Sequence, residues 1–156
     1  MSFGIVAVIG TPSPTLASEK FIPLITQKSI LRQIAAGKRV VFVDSRESSE
    51  YFEERIPGAH NLTLRSVSAV SANEFTDKDI VIAYCLKDFR GFEVAKALKK
   101  VGVNHVYTMA APGLNAWKKS KLPIDIPGTT DKGLALKKLE QCANSVKSCK
   151  GRADGA

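Results

Sequence analysis

The sequence is poor in cysteine, in acidic residues and in long apolar runs, and each shortage closes off a class of protein. Three cysteines, Cys85, Cys142 and Cys149, are too few for a disulfide scaffold, and no pair has the C-x2-C spacing of a structural metal site. Their odd number leaves at least one thiol unpaired within the chain. The apolar stretch from Phe3 to Gly10 is far too short to cross a bilayer, so no integral membrane segment is expected. Asp and Glu number 15 against 23 Lys and Arg, and the resulting +8 favours anionic partners. That excess is local, in Lys96, Lys99 and Lys100, in Lys118 and Lys119, and from Lys132 to Arg152. Few aromatics lie among these residues and no nucleic-acid motif accompanies them, so a solvated basic face is the simpler account and no nucleic-acid partner is expected. Neither an internal repeat nor a low-complexity segment is visible. What remains is ordinary for one globular domain: 156 residues, 44% hydrophobic and 24% charged.

The start reads in two ways. Thr15-Leu16-Ala17 ends in a small-x-small arrangement like a signal-peptidase site, yet no Lys or Arg precedes the apolar run. Residues 1–20 are therefore either a signal peptide truncated at its start or an N-terminal strand. The signal-like features tilt the expected location towards an exported or periplasmic protein, with the cytoplasm as the alternative.

Further along, Ile30, Leu31, Ile34 and Ala35 recur at helical spacing within Ser29 to Ala36, and Gly37 supplies a stop. Val40 to Val43 is a continuous apolar run that ends at Asp44, the pattern of a strand buried on both faces. Glu47 to Glu54 can form a turn or two of helix, and Pro57-Gly58 forces a turn before the apolar residues around Leu62. Ile80 to Tyr84 is a second buried strand. Val94, Ala95, Leu98 and Val101 predict an amphipathic helix that closes at Gly102, with Lys96, Lys99 and Lys100 outside. His105 to Met109 is a third strand, and Pro112-Gly113 opens a short helix carrying Trp117. Strands alternating with helices imply right-handed crossovers, hence an α/β fold with an open, mostly parallel central sheet flanked by helices on both faces.

Pro123 and Pro127-Gly128 punctuate the end of that unit, so residues 127–156 read as a separate basic helical tail. Thr130 or Asp131 can cap a helix along which Leu136, Leu139, Ala143 and Val146 share a stripe. On a continuous helix the seven steps from Cys142 to Cys149 separate their Cα atoms by roughly 10 Å, beyond the roughly 7 Å reach of a disulfide. Bridging would need the helix to break near Asn144-Ser145.

Cys85 follows the Ile80 to Tyr84 strand directly, where ligands of open parallel sheets bind. Its loop, Cys85-Leu86-Lys87-Asp88-Phe89-Arg90, feeds a helix whose first N–H groups lack intrahelical partners, a place suited to an anion. A helix end alone contributes typically about 0.3 to 1 kcal/mol to holding a thiolate, so converging N–H groups, Lys87 and Arg90 would have to supply the rest. Arg90 also offers a planar fork suited to an oxyanion or sulfonate. The alternative is an inert buried cysteine, a common fate of free cysteine. His60 and His105 read as structural residues.

Three segments in this order resemble the rhodanese family. Val41 to Leu62 (VFVDSRESSEYFEERIPGAHNL) is similar to the family's Asp-x-Arg-Glu strand end, acidic-aromatic helix and Ile-Pro-Gly-Ala-x-Asn signature. Cys85 through Arg90 matches its Cys-x4-Arg loop, and Gly113 to Trp117 (GLNAW) its Gly-x-x-Ala-Trp ending. The resemblance covers roughly Phe21 to Ile126 and assigns 21–126 as a rhodanese-like domain. It implies a sulfurtransferase in which Cys85 takes sulfane sulfur from a small anionic donor such as thiosulfate and hands it to a thiol, a protein acceptor or cyanide. No cofactor and no metal are called for. Arg90 would hold the loop and stabilise negative charge, and the backbone of Leu86, Lys87, Asp88, Phe89 and Gly91 would bind substrate. Asp44, Arg46 and Glu47 would organise the framework. Four residues between Cys85 and Arg90, rather than the five of related phosphatases, favour sulfur over phosphate. The loop departs from the family at Asp88, where Gly is usual, and at Gly91, where a small hydroxyl or Ala is usual, and further on Pro112 replaces a Gly. Two other roles stay open: a non-catalytic binding or regulatory module, and a persulfide carrier whose basic tail docks an acidic partner while Cys142 or Cys149 receives the sulfur. Oligomeric state is not legible.

Overall fold

The computed structural model describes residues 21–87 and 89–145. Residues 1–20, with the signal-like segment, and Asp88, Val146 and Cys149 lie outside the described residues. In chain order the elements are β1 (Leu24–Ile25), α1 (Gln27–Ala35), β2 (Val40–Asp44), α2 (Ser48–Glu53), β3 (His60–Asn61), α3 (Ala69–Ala72), β4 (Ile80–Tyr84), α4 (Phe89–Lys100), β5 (Val106–Met109), α5 (Gly113–Lys119) and α6 (Lys132–Asn144). Single 3-10 turns, Leu64–Ser66 and Asn73–Phe75, flank α3.

The five strands form one parallel sheet in the order β1-β5-β4-β2-β3, with β4 at its centre. Every residue of β4 is buried because the pleat sends alternate side chains into two separate cores. Ile80, Ile82 and Tyr84 join Ile30 of α1, Leu114 and Trp117 of α5 and Leu139 of α6 on one face. Val81 and Ala83 join Val94, Ala95 and Leu98 of α4 on the other. This double burial is why the run carries no polar alternation. Trp117 anchors the first core: its ring meets Phe42 edge-on at 5.4 Å, and its Nε1 donates a 2.8 Å bond to the Pro123 carbonyl.

Local chemistry sets the element ends. α1 starts two residues before the expected Ser29, because the Thr26 hydroxyl accepts from the Ser29 N–H and caps the helix. It stops where Gly37 takes a φ of +75°, a conformation that costs glycine little. Neither β1 nor the short helical turns between β3 and β4 were expected from apolar periodicity; β1 is two residues long and exists through its pairing with Thr108 and Met109 of β5. The third expected strand begins one residue late, at Val106.

Residues 132–144 form the expected helix, capped by Asp131, whose carboxylate accepts from the Leu134 N–H at 2.7 Å. Ala135, Leu139 and Cys142 on α6 are buried, and Leu139 belongs to the same core as Ile30 of α1. The helix ends at Asn144 with Ser145 in extended conformation, and Cys142 is disulfide-bonded. No described helix is long and apolar enough to cross a membrane.

Candidate functional site

Cys85 follows the carboxyl end of the central strand and precedes α4, at the end of the sheet beyond which open parallel sheets bind ligands, and its thiol is free and buried. Its surroundings hold its backbone in place. The Cys85 carbonyl accepts from the Leu114 N–H at 2.9 Å, which ties it to the first turn of α5, just beyond the cis Ala111–Pro112 bond. The preceding carbonyl, of Tyr84, accepts from both the N–H and the hydroxyl of Ser45, at 2.9 and 2.7 Å. Gly91 in α4 lies so close that a Cβ there would sit 2.9 Å from Tyr84 Cα and 3.2 Å from Cys85 N. This close approach brings the start of α4 against the cysteine and accounts for glycine at that position. Cys85 as a whole is only 3% exposed.

The expected framework residues do come together. Asp44 and Arg46 are both buried and paired: Arg46 donates from its backbone N–H (3.0 Å), Nε (3.0 Å) and Nη2 (2.7 Å) to the Asp44 carboxylate. Asn61 ties this turn down by donating to the carbonyls of Asp44 (3.1 Å) and Arg46 (2.8 Å). The network reaches the cysteine through Tyr84, which donates to Asp44. Glu47 stands at the start of α2, accepts from Arg65 and takes part in a reciprocal cap with Glu50.

Arg90, in the first turn of α4, pairs with α2. Both ends of its guanidinium are taken by Glu50, Nη1 to Oε2 at 2.6 Å and Nη2 to Oε1 at 2.8 Å. This bidentate pair, helped by the Glu47 N–H and the Arg90 and Arg46 charges and opposed by partial burial, holds the Glu50 carboxyl at about 2. The fork expected to meet an oxyanion is therefore engaged by a carboxylate of α2. The Glu50 carboxylate raises the Arg90 pKa against the opposing effect of burial, with smaller contributions from the Cys85 and Asp44 charges. Glu50 had no assigned role at the sequence level; its place three residues after Glu47, the spacing of a capping box, was the available signal.

Of the loop residues expected to bind substrate, Leu86 packs partly into the core, Lys87 is exposed and Phe89 is 76% exposed. A cleft of about 340 Å³ opens beside the loop, between Ser45, Thr63, Leu64 and Arg65 on one side and Phe89, Arg90 and Glu93 on the other, with Glu47 also lining it and Cys85 not among its walls. His60 lies elsewhere, 3.6 Å from Glu74 and edge-on to Phe75. Among the described residues no group of His, Cys, Asp and Glu is arranged to hold a metal ion.

Comparison with known proteins agrees with this architecture. A Bacillus subtilis (strain 168) protein named "Putative sulfur carrier protein YrkF" is 28% identical over 96 residues, which is 62% of this chain; the chain spans only about half, 51%, of that relative. Solved structures share the fold at lower identity. The rhodanese-like domain of an Anabaena sp protein superposes with a TM-score of 0.59 at 19% identity, covering 71% of this chain and 89% of that one. A rhodanese-related protein of Thermoplasma volcanium gives 0.57 at 16%, covering 67% and 98%. A thiosulfate sulfurtransferase of Pseudomonas aeruginosa gives 0.57 at 19%, covering 67% of this chain and 20% of that one. Together the family match and the sulfur-carrier relative support sulfur transfer at the level of the family. The family model for the rhodanese-like domain matches residues 26–120, more than half of the sequence, and the chain belongs to the rhodanese-like domain family.

Proposed function

We propose that this protein is a sulfurtransferase that carries sulfane sulfur on Cys85 as a persulfide, from thiosulfate or a related donor to a thiol or cyanide-type acceptor. The observation that carries this is the position of a free cysteine between the end of the central strand and the start of α4, with Arg90 and its Glu50 partner at the helix entrance. In the first half-reaction the Cys85 thiolate attacks the outer sulfur of the donor. The donor's S–S bond breaks and its remainder, sulfite in the case of thiosulfate, leaves with the electron pair. In the second, an acceptor thiolate attacks the outer sulfur of the Cys85 persulfide, and the Cys85 thiolate leaves. Backbone N–H groups from Leu86 to Gly91 cradle the charged sulfur in this scheme. Arg90 and Glu50 brace the loop, and Asp44, Arg46 and Glu47 support it from below.

A carrier role for a protein partner is the second reading, favoured by the name of the Bacillus subtilis relative. Incubation with thiosulfate and with an organic persulfide, followed by intact-mass measurement, tests the first. One added sulfur that disappears in Cys85→Ser supports persulfide chemistry at Cys85. Catalytic turnover with excess acceptor then separates an enzyme from a carrier. Absence of loading from every donor leaves a binding module.

A further inference from the structure

Among the described arginines, Arg39, Arg46, Arg55, Arg65 and Arg90 each meet a carboxylate, and Arg32 does not. Arg32 stands exposed on α1, one turn after the equally exposed Lys28. On α6, which packs against α1, Lys137 and Lys138 are exposed as well. None of these four cations pairs with a carboxylate of a described residue. α1 carries no acidic residue and α6 carries Glu140 alone, while the Asp131 carboxylate that caps α6 accepts from the Leu134 N–H. The adjoining sequence does not redress the balance: residues 146–156 bring Lys147, Lys150 and Arg152 against Asp154, and residues 1–20 bring Glu19 with Lys20. Lys28 and Arg32 are like charges four residues apart on one helix, a spacing at which they repel. A surface charged for solubility mixes both signs, whereas a field of one sign concentrates an oppositely charged partner. α6 also lies past residue 120, where the match to the family model ends, so the helix that completes this face is an addition to the shared domain.

We propose that the exposed face of α1 and α6 is a docking surface for an acidic protein. Its chemistry favours a protein over other polyanions. Neither helix carries an aromatic side chain on which a nucleic-acid base could stack. The apolar stripe of α6, Ala135, Leu139 and Cys142, is turned into the core rather than towards a bilayer. What the face presents is cations with Leu134, 49% exposed, one turn before Lys137 and Lys138. Carboxylates set around an apolar side chain complement that arrangement. Docking of this kind is independent of the chemistry at Cys85.

The test titrates the full chain with poly-L-glutamate by calorimetry at about 0.15 M salt, where charges more than about 8 Å apart are largely screened. Wild type is compared with three doubly reversed variants: Lys28→Glu with Arg32→Glu, Lys137→Glu with Lys138→Glu, and, on α4, Lys96→Glu with Lys100→Glu. All three lower the net charge equally. The α1 and α6 variants are expected to raise Kd at least about tenfold and the α4 variant less than about threefold. Equal weakening by all three assigns binding to net charge and overturns the proposal, as does absence of binding to wild type at this salt. Duplex DNA and vesicles containing phosphatidylglycerol are titrated in parallel. If either of these loses binding through the α1 and α6 variants while polyglutamate does not, the face belongs to that polyanion and the acidic protein is overturned. Urea midpoints confirm that each variant is folded, and Lys137→Gln with Lys138→Gln, which removes charge without reversing it, takes the place of a reversed variant that does not fold.

Discussion

Tyr84 and Asp44 face one another in register across β4 and β2, and the Tyr84 hydroxyl donates a 2.8 Å bond to the Asp44 carboxylate. Burial, reinforced by the Asp44 charge, pushes the Tyr84 pKa well above its usual value, so the phenol stays a donor throughout the working pH range. The same oxygen accepts from the Ile56 N–H at 3.2 Å. Tyr84→Phe therefore leaves a buried N–H and a buried carboxylate each short of a partner, and is expected to cost about 1–3 kcal/mol in urea unfolding. Asp44→Ala is expected to cost more, about 3–5 kcal/mol, because it strands the Arg46 charge, whose side chain is only 3% exposed. A loss below about 0.5 kcal/mol for both would show that the network does not brace the fold.

Gly91→Ala puts a methyl group 2.9 Å from the Cα of Tyr84, and backbone cannot move aside as a flexible side chain can. The start of α4 has to shift away from Cys85. The expected result is a loss of about 1–3 kcal/mol in stability. Sulfur uptake at Cys85 should slow as well, when Gly91→Ala and wild type are compared by chemical denaturation and intact mass. Equal stability and equal uptake would show that the contact relaxes freely.

The Glu50–Arg90 pair predicts a defined acid response. The folded carboxyl titrates at about 2 against an ordinary value of 4.5, so the pair's contribution is present above about 4.5 and is lost as pH falls towards 2. With the Arg90 side chain 41% exposed, solvent screening limits that contribution to about 1–2 kcal/mol. Wild type should exceed Glu50→Gln by this amount at pH 7, and the two denaturation curves should converge as pH approaches 2. A gap that persists at pH 2 would assign the difference to packing.

Leu139→Ala on α6 is expected to lower stability by about 2–5 kcal/mol, since Leu139 is 4% exposed and shares a core with Ile30 and Trp117. A chain ending at Gly128 should lose at least as much. Unchanged midpoints in urea would make the helix an accessory.

The parts of the fold that could be read in advance were those whose signal is local and repeated. Val40 to Asp44 and Ile80 to Tyr84 announce themselves because a strand buried on both faces has no reason to carry polar residues. Cys85 could be placed because strand and helix flank it directly. β1 was not legible, as two residues hold no periodicity and its place depends on a partner strand more than eighty positions away. Pro127-Gly128 looked like a boundary, yet the buried stripe of α6 closes over α1; an amphipathic pattern reveals that a helix has an apolar face but not what covers it. The Glu50–Arg90 pair spans forty residues, and nothing near either residue reveals which carboxylate the guanidinium meets.

The central place of β4 also bears on time. With β5 on one side and β2 on the other, its amides open only when the sheet comes apart, and they should be among the slowest in the molecule to exchange with deuterium. The proposed sulfur chemistry is thus mounted at the end of a strand held on both sides. Fraying at the edge strands β1 and β3 can pass without disturbing the backbone that carries Cys85.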